Sequence, residues 1–204
     1  AAARRLAREA DIVVENFRPG VMARFGLDFD SVRAENPSAI FCSITGFGGG
    51  GGAALPGYDL LVQAVGGLMS ITGPVEGEPS KVGVALVDVL TGLNAVPGIL
   101  LALRERERSG TGQRVEVDLM TSLLSALANQ ASSTLATGRA PARLGNAHPS
   151  IAPYELFDAS DRPLVIAVGN DRQFAGLVGV LGAPGLAGDP RFTTNQLRVH
   201  NRDA

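Results

Sequence analysis

Two β-branched runs, "DIVVEN" at residues 11–16 and "SAIFCSIT" at 38–45, are joined by the segment "RPGVMARFGLDFDSVRAENP", and this arrangement restricts the fold more than any other feature of the chain. The joining segment reads as two short helices, each punctuated by a Gly or Pro stop. Strand, helices, strand is the order of an open parallel sheet built with crossovers, so the expected class is α/β. "AAARRLAREA" before the first run reads as the last turns of an Ala/Arg helix. After a glycine-rich run come the helical spacing of "YDLLVQAVGGLMSIT", the turn-rich "GPVEGEPSKVG" and the longest apolar periodic segment, residues 86–108. Pro97 is expected to kink or break that helix. "GTGQRVEVDLM" adds a turn and a strand, and "TSLLSALANQASSTLATG" one more helix. From about residue 139 the texture becomes Pro-punctuated, followed by a hairpin through "YELFDASDRPLVIAV" with its turn at Ser160 and Asp161, and by the helix "DRQFAGLVGVLG". The domain boundary is therefore placed at 138/139, and "RFTTNQLRVHNRDA" reads as an amphipathic helix cut by the chain end.

Composition excludes several function classes. With 45% hydrophobic residues in 204, the chain has the apolar material for one or two cores. A formal charge of -2, with both signs mixed along the chain, favours neither nucleic acid nor an anionic membrane. One cysteine, Cys42, cannot pair within the chain, and with two distant histidines it makes no metal site. The longest apolar stretches are interrupted by Asp, Asn, Pro or Arg before a bilayer-spanning length, so a cytoplasmic protein without metal is expected.

"GFGGGGG" at residues 46–52 satisfies G-x-G-x-x-G directly after a strand, the context of a dinucleotide fingerprint. The fingerprint also needs a helix starting at the glycines and an acidic residue about twenty positions on. Here Pro56 precedes any helix and residues 64–71 contain no Asp or Glu. A plain surface loop, or a loop lining a site where a ligand approaches the backbone, both fit better. Asp88 stands out for another reason: it is the one acidic residue between Glu78 and Glu105, in an apolar segment. A carboxylate buried there must be hydrogen-bonded, cap a helix, or be kept dry for nucleophilic or acid/base work. Composition does not choose among these.

Three ordered stretches, "ADIVVENFRPGVMARFGLDFDSVRAENPSAIFCSITGFG", "PGYDLLVQAVGGLMSITG" and "VGVALVDVLTGLNAVPGILLALRERERSGTGQRVEVDLM", resemble the family III CoA-transferases, the group that includes formyl-CoA transferase and the carnitine CoA-transferases. The resemblance continues through "RLGNAHPSIAPYELF" and "VGNDRQF" and covers nearly the whole chain. It implies a Rossmann-like large domain (here residues 1–138), a linker and the start of a small α+β domain (139–204), and an interlocked homodimer. Family members are about twice this length, so a middle piece is expected, marginal and inactive alone.

The resemblance also implies roles. Asp88, in "VDVLTG", matches the catalytic aspartate, which forms a mixed anhydride with the acyl group and then an aspartyl-CoA thioester. The segment "ENFRPGVMARFG" contributes to CoA binding, with Asn16 for polar contacts, Phe17 for stacking on adenine, and Arg24 or Arg18 for phosphate. Solvated arginines on a helix-start turn are the plain alternative. Pro56 stands where relatives carry a basic residue, so that CoA contact is not carried over. Tyr58 and Asp59, with Gly48 and Gly49 of the glycine run, are expected to line the site. The related α-methylacyl-CoA racemases resemble "GHD" where this chain has "GYD", and a phenol is a poor base at pH 7, which favours transfer. His148 is the other candidate imidazole, more simply read as a loop histidine. Coenzyme A and its thioesters enter as substrates, with small carboxylic acids as partners and no resident cofactor. A racemase, a non-catalytic remnant and, more distantly, a nicotinamide dehydrogenase are the alternatives.

Overall fold

The computed structural model describes residues 2–204. The chain divides into two compact units, one comprising the residues up to Ser70 together with Ser80–Pro141, the other Ile71–Pro79 with Ala142–Ala204.

The first unit is a mixed α/β structure around three parallel strands, β1 (Ile12–Glu15), β2 (Ile40–Thr45) and β3 (Arg114–Asp118), paired in that order. Ile12 lies opposite Ile40, and Phe41 opposite Arg114. β2 is the central strand and is buried on both faces from Ile40 to Ser43, which is why it reads as a continuous apolar run. Successive residues of β2 point to opposite faces. Phe41 joins one core with Ala7, Val32 and Ala39, which belong to α1 (Ala2–Glu9), α3 (Phe29–Glu35) and the approach to β2. Ile44 packs on a second core made by Val62, Val87, Leu119 and Leu123. Those come from α4 (Asp59–Val65), α6 (Leu86–Ser109) and α7 (Leu119–Ala126). Two short helices, α2 (Val21–Arg24) and α5 (Leu68–Ile71), fall within the connections.

Asp28 starts α3 by accepting the Ser31 backbone N–H at 3.2 Å, and Asp118 starts α7 by accepting that of Thr121 at 2.7 Å. Gly110 ends α6 in the left-handed conformation, φ 72°, that a residue with a Cβ adopts only at a cost.

Three expectations need correction. Pro97, expected to kink or break α6, does not break it: the helix continues from Leu86 to Ser109. Pro97 and Leu93, whose carbonyl loses its helical donor, both lie on the exposed face, where water is available to that oxygen. Despite Asp88, Asn94 and Pro97, α6 is also long and apolar enough to cross a membrane by length and composition, with a mean hydropathy of 1.9 over its best window. It packs against β2, β3, α4 and α7 along one side and leaves Val89, Leu93, Val96 and Leu100 exposed on the other. Finally, residues 119–137 form two helices, α7 and α8 (Ala128–Thr137), separated at Ala128, which has φ 41°.

In the second unit β4 (Tyr154–Asp158) and β5 (Pro163–Ala167) pair antiparallel, and Ala159 N–H closes the turn on Arg162 C=O around Ser160 and Asp161, as read from the sequence. α9 (Asp171–Val180) supplies Phe174 and Val178 to a core with Val168. A short 3-10 turn, Pro184–Gly188, precedes α10 (Asn195–His200), and α10 ends in turn residues before the chain does. Arg198 is buried over the Phe174 ring, its charge facing Asp171 at 2.8 Å and its Nε donating to Ala152 C=O at 2.8 Å.

Candidate active site

Because the three strands are parallel, their carboxyl ends lie at one edge, where open α/β sheets place ligand crevices. A cavity of about 530 Å³ opens there. The chain leaving β1 lines it with Asn16, Phe17 and Arg18, the end of β2 with Ile44, Thr45 and Gly46, and the residue after β3 with Leu119. Leu55, Pro56, Gly57 and Tyr58 form another wall, and the first turns of α6 provide Asp88, Thr91 and Gly92.

The glycine run is a loop pinched at its base. Gly46 and Gly57 lie backbone to backbone, so a Cβ on Gly57 would sit 2.6 Å from the Gly46 Cα. Gly46 C=O accepts the Met120 N–H at 3.0 Å, which ties the loop to the start of α7. Inside the loop Phe47 turns back over Gly52 and packs on the second core, while Gly48 (φ 70°) donates its N–H to Thr45 Oγ1 at 3.1 Å. A Cβ on Gly49, Gly50 or Gly51 would meet no atom within 4 Å. The loop returns to deliver Tyr58, 65% exposed, to the cavity wall as the residue that starts α4. No helix begins at the glycines, so no phosphate cradle of the dinucleotide kind is formed.

Asp88 is the third residue of α6 and is exposed, not buried as its apolar sequence context suggested. It accepts no hydrogen bond among the described residues. The cap of α6 comes from elsewhere: Asp59 Oδ1 accepts the Val87 backbone N–H at 2.8 Å, across 28 residues of chain. Asp59 Oδ2 accepts Gln63 Nε2 at 2.6 Å, and Gln63, fully buried, accepts the Val82 N–H at 2.9 Å through its own Oε1. Asp59, Gln63 and two backbone donors thus fix how the chain enters α6. Desolvation, reinforced by repulsion from Asp59, pushes the Asp88 carboxyl above its ordinary value. A carboxylate without donors of its own, at a helix N-terminus facing a cavity, suits nucleophilic attack or proton transfer.

Asn16, Phe17, Arg18, Tyr58 and Asp88 are brought together in this cavity. Asp59 lies behind the wall and acts on it through Val87. Gly48 and Gly49 line a neighbouring cavity of about 250 Å³ that shares Phe17, Arg18 and Thr45 with the first. Arg24 is exposed and lines neither. His148 is held inside the second unit, its Nδ1 accepting the Ser150 N–H at 3.1 Å and its ring edge-on to Tyr154 with centroids 5.2 Å apart. Thr91 and Gly92 were not anticipated, although their i+3 and i+4 spacing from Asp88 on a helix puts them on its face.

A profile of CoA-transferase family III matches residues 1–204. Succinate–glutarate CoA-transferase of Agrobacterium fabrum is 48% identical over 200 residues, covering 98% of this chain and 50% of that protein. Acetyl-CoA:oxalate CoA-transferase of Acetobacter aceti is 45% identical over 201 residues, covering 98% of this chain and 52% of that one. Among solved structures, a CaiB/BaiF family protein from Brucella suis is 49% identical with a TM-score of 0.83, covering 98% of this chain and 53% of its own. The chain therefore spans about half the length of the relatives it matches. On this evidence it belongs to CoA-transferase family III.

Proposed function

We propose that the full-length protein carrying this chain moves coenzyme A between two small carboxylic acids, with Asp88 as the nucleophile. The observation that carries the reading is the division of labour at α6: Asp59 takes the helix cap, and Asp88 is left without donors, facing the cavity. An Asp88 oxygen attacks the acyl-CoA carbonyl, and CoA leaves as thiolate, giving a mixed anhydride. The thiolate attacks the aspartyl carbonyl of that anhydride; the donor acid leaves, and an aspartyl-CoA thioester remains. The acceptor carboxylate reverses both steps, which regenerates the Asp88 carboxylate and releases the new thioester. No net proton is consumed, so no general base is required, in keeping with a tyrosine at position 58.

Asn16, Phe17 and Arg18 would hold CoA, with Gly48 and Gly49 letting it pass close to the backbone toward the neighbouring cavity; Arg24 stays outside this proposal. The relatives' names, with succinate, glutarate and oxalate, support short dicarboxylates as the exchanged acids. Coenzyme A thioesters are substrates, with no resident cofactor. Residues 1–138 would belong to a Rossmann-like large domain and 139–204 to the linker and small domain of an interlocked cytoplasmic homodimer. The test is to incubate the full-length protein with paired acyl-CoAs and acids in deuterated water. New acyl-CoA without α-deuterium, lost in Asp88→Ala, is expected; α-deuterated donor without CoA transfer would replace this reading with racemisation.

A further inference from the structure

α6 contains two interior glycines, Gly92 and Gly98, at positions where glycine weakens a helix more than any residue except proline. Gly98 has a packing reason: a Cβ there would come within 2.9 Å of Val115 Cγ1 on β3. Gly92 has none among the described residues, since a Cβ there would meet no atom within 4 Å. Its backbone is helical, so no positive φ requires glycine either. Gly92 does line the cavity, one helical turn beyond Asp88 on the same face. Thr91 beside it is buried, with its hydroxyl donating to Val87 C=O at 2.7 Å. The missing side chain at Gly92 therefore leaves empty volume next to the carboxylate.

We propose that Gly92 determines specificity by holding open the space that the acyl group occupies beside Asp88, so that this position sets the largest acyl group accepted. The proposal rests on the transferase reading for the identity of the ligand, an acyl-CoA. It predicts that filling the position discriminates by acyl size rather than damaging the protein.

Gly92→Ala and Gly92→Leu, both good helix formers, are made in the full-length protein and assayed with acetyl-, succinyl- and glutaryl-CoA. Each variant should melt no lower than wild type. For Gly92→Ala, kcat/KM should fall by about 10-fold or more for glutaryl-CoA and by less for acetyl-CoA, the scale at which pockets discriminate single carbons. Gly92→Leu should exclude both dicarboxylic thioesters, in turnover and in calorimetric binding, while still binding free CoA. Equal losses for all three donors, or a lowered melting temperature, would make Gly92 a packing glycine and overturn the proposal. An unchanged donor profile in Gly92→Leu would overturn it as well. If wild type binds the thioesters but transfers nothing, and Gly92→Leu still loses only the larger ones, the transferase reading fails and the size-setting role stands. If wild type binds no acyl-CoA, both fail.

Discussion

Removing the Asp59 carboxylate should destabilise the site and retune Asp88 at once, and the two effects are separable. Asp59→Ala strips the Val87 N–H of its cap, worth about 1 kcal/mol for a helix start. It also leaves Gln63 Nε2 without an acceptor in a fully buried residue, worth a further ~1–3 kcal/mol. The expected loss is about 2–4 kcal/mol in denaturant unfolding of the full-length protein, summed from those two effects. Asp59→Asn keeps an oxygen for Val87 but presents an amide where Gln63 donates; turning Gln63 over to match deprives Val82 N–H of its acceptor. Its cost should lie between wild type and Asp59→Ala. Both variants remove the negative charge beside Asp88, so the acid limb of the pH–rate profile should shift to lower pH. A loss under about 0.5 kcal/mol in Asp59→Ala, the level of an ordinary surface change, would refute the capping argument. An unmoved acid limb in Asp59→Asn would refute the electrostatic one.

Asp88→Asn should reveal the cost of holding a charge at position 88. Because the folded state raises the Asp88 carboxyl, the folded protein holds that proton more tightly than the unfolded chain, and wild type loses stability as pH rises from the unfolded value through the raised one. The asparagine variant should match wild type in acid and exceed it at neutral pH; a gap of the opposite sign, read from unfolding curves at each pH, would count against the stated cause. Gly57→Ala forces the loop base apart where Gly46 leaves no room, and should cost roughly 1–3 kcal/mol, as overpacking does, with loss of activity. Gly50→Ala, which meets nothing, should be near neutral in the same melts.

The parallel sheet was legible because β2 carries its burial in its composition and because the connection from Pro19 to Pro37 shows its helix stops. Asp88 was legible as a lone acid in an apolar run, but not its environment. That depends on Asp59, 29 positions earlier and paired with α6 only by tertiary structure, which no local pattern records. The same limit explains the glycine run. Its motif suggested phosphate binding, while Gly46 and Gly52 are glycine for close contacts with Gly57 and Phe47, and Gly48 for its φ of 70°, all of which are fixed by folding. Pro97 does not break α6, because the carbonyl left without its donor lies on an exposed face. Arg24 matched a binding segment by position, yet it ends the short α2 exposed and lines neither cavity.

The central claim is that Asp88 exchanges an oxygen with the substrates, and isotope transfer tests it most directly. The full-length protein is turned over with an acyl-CoA donor and an acceptor acid labelled in its carboxylate with oxygen-18. The account predicts the label in the peptide containing Asp88, and then in the donor acid released on the following turnover. Transfer with all label kept between acceptor and its thioester, and none in Asp88, would contradict it.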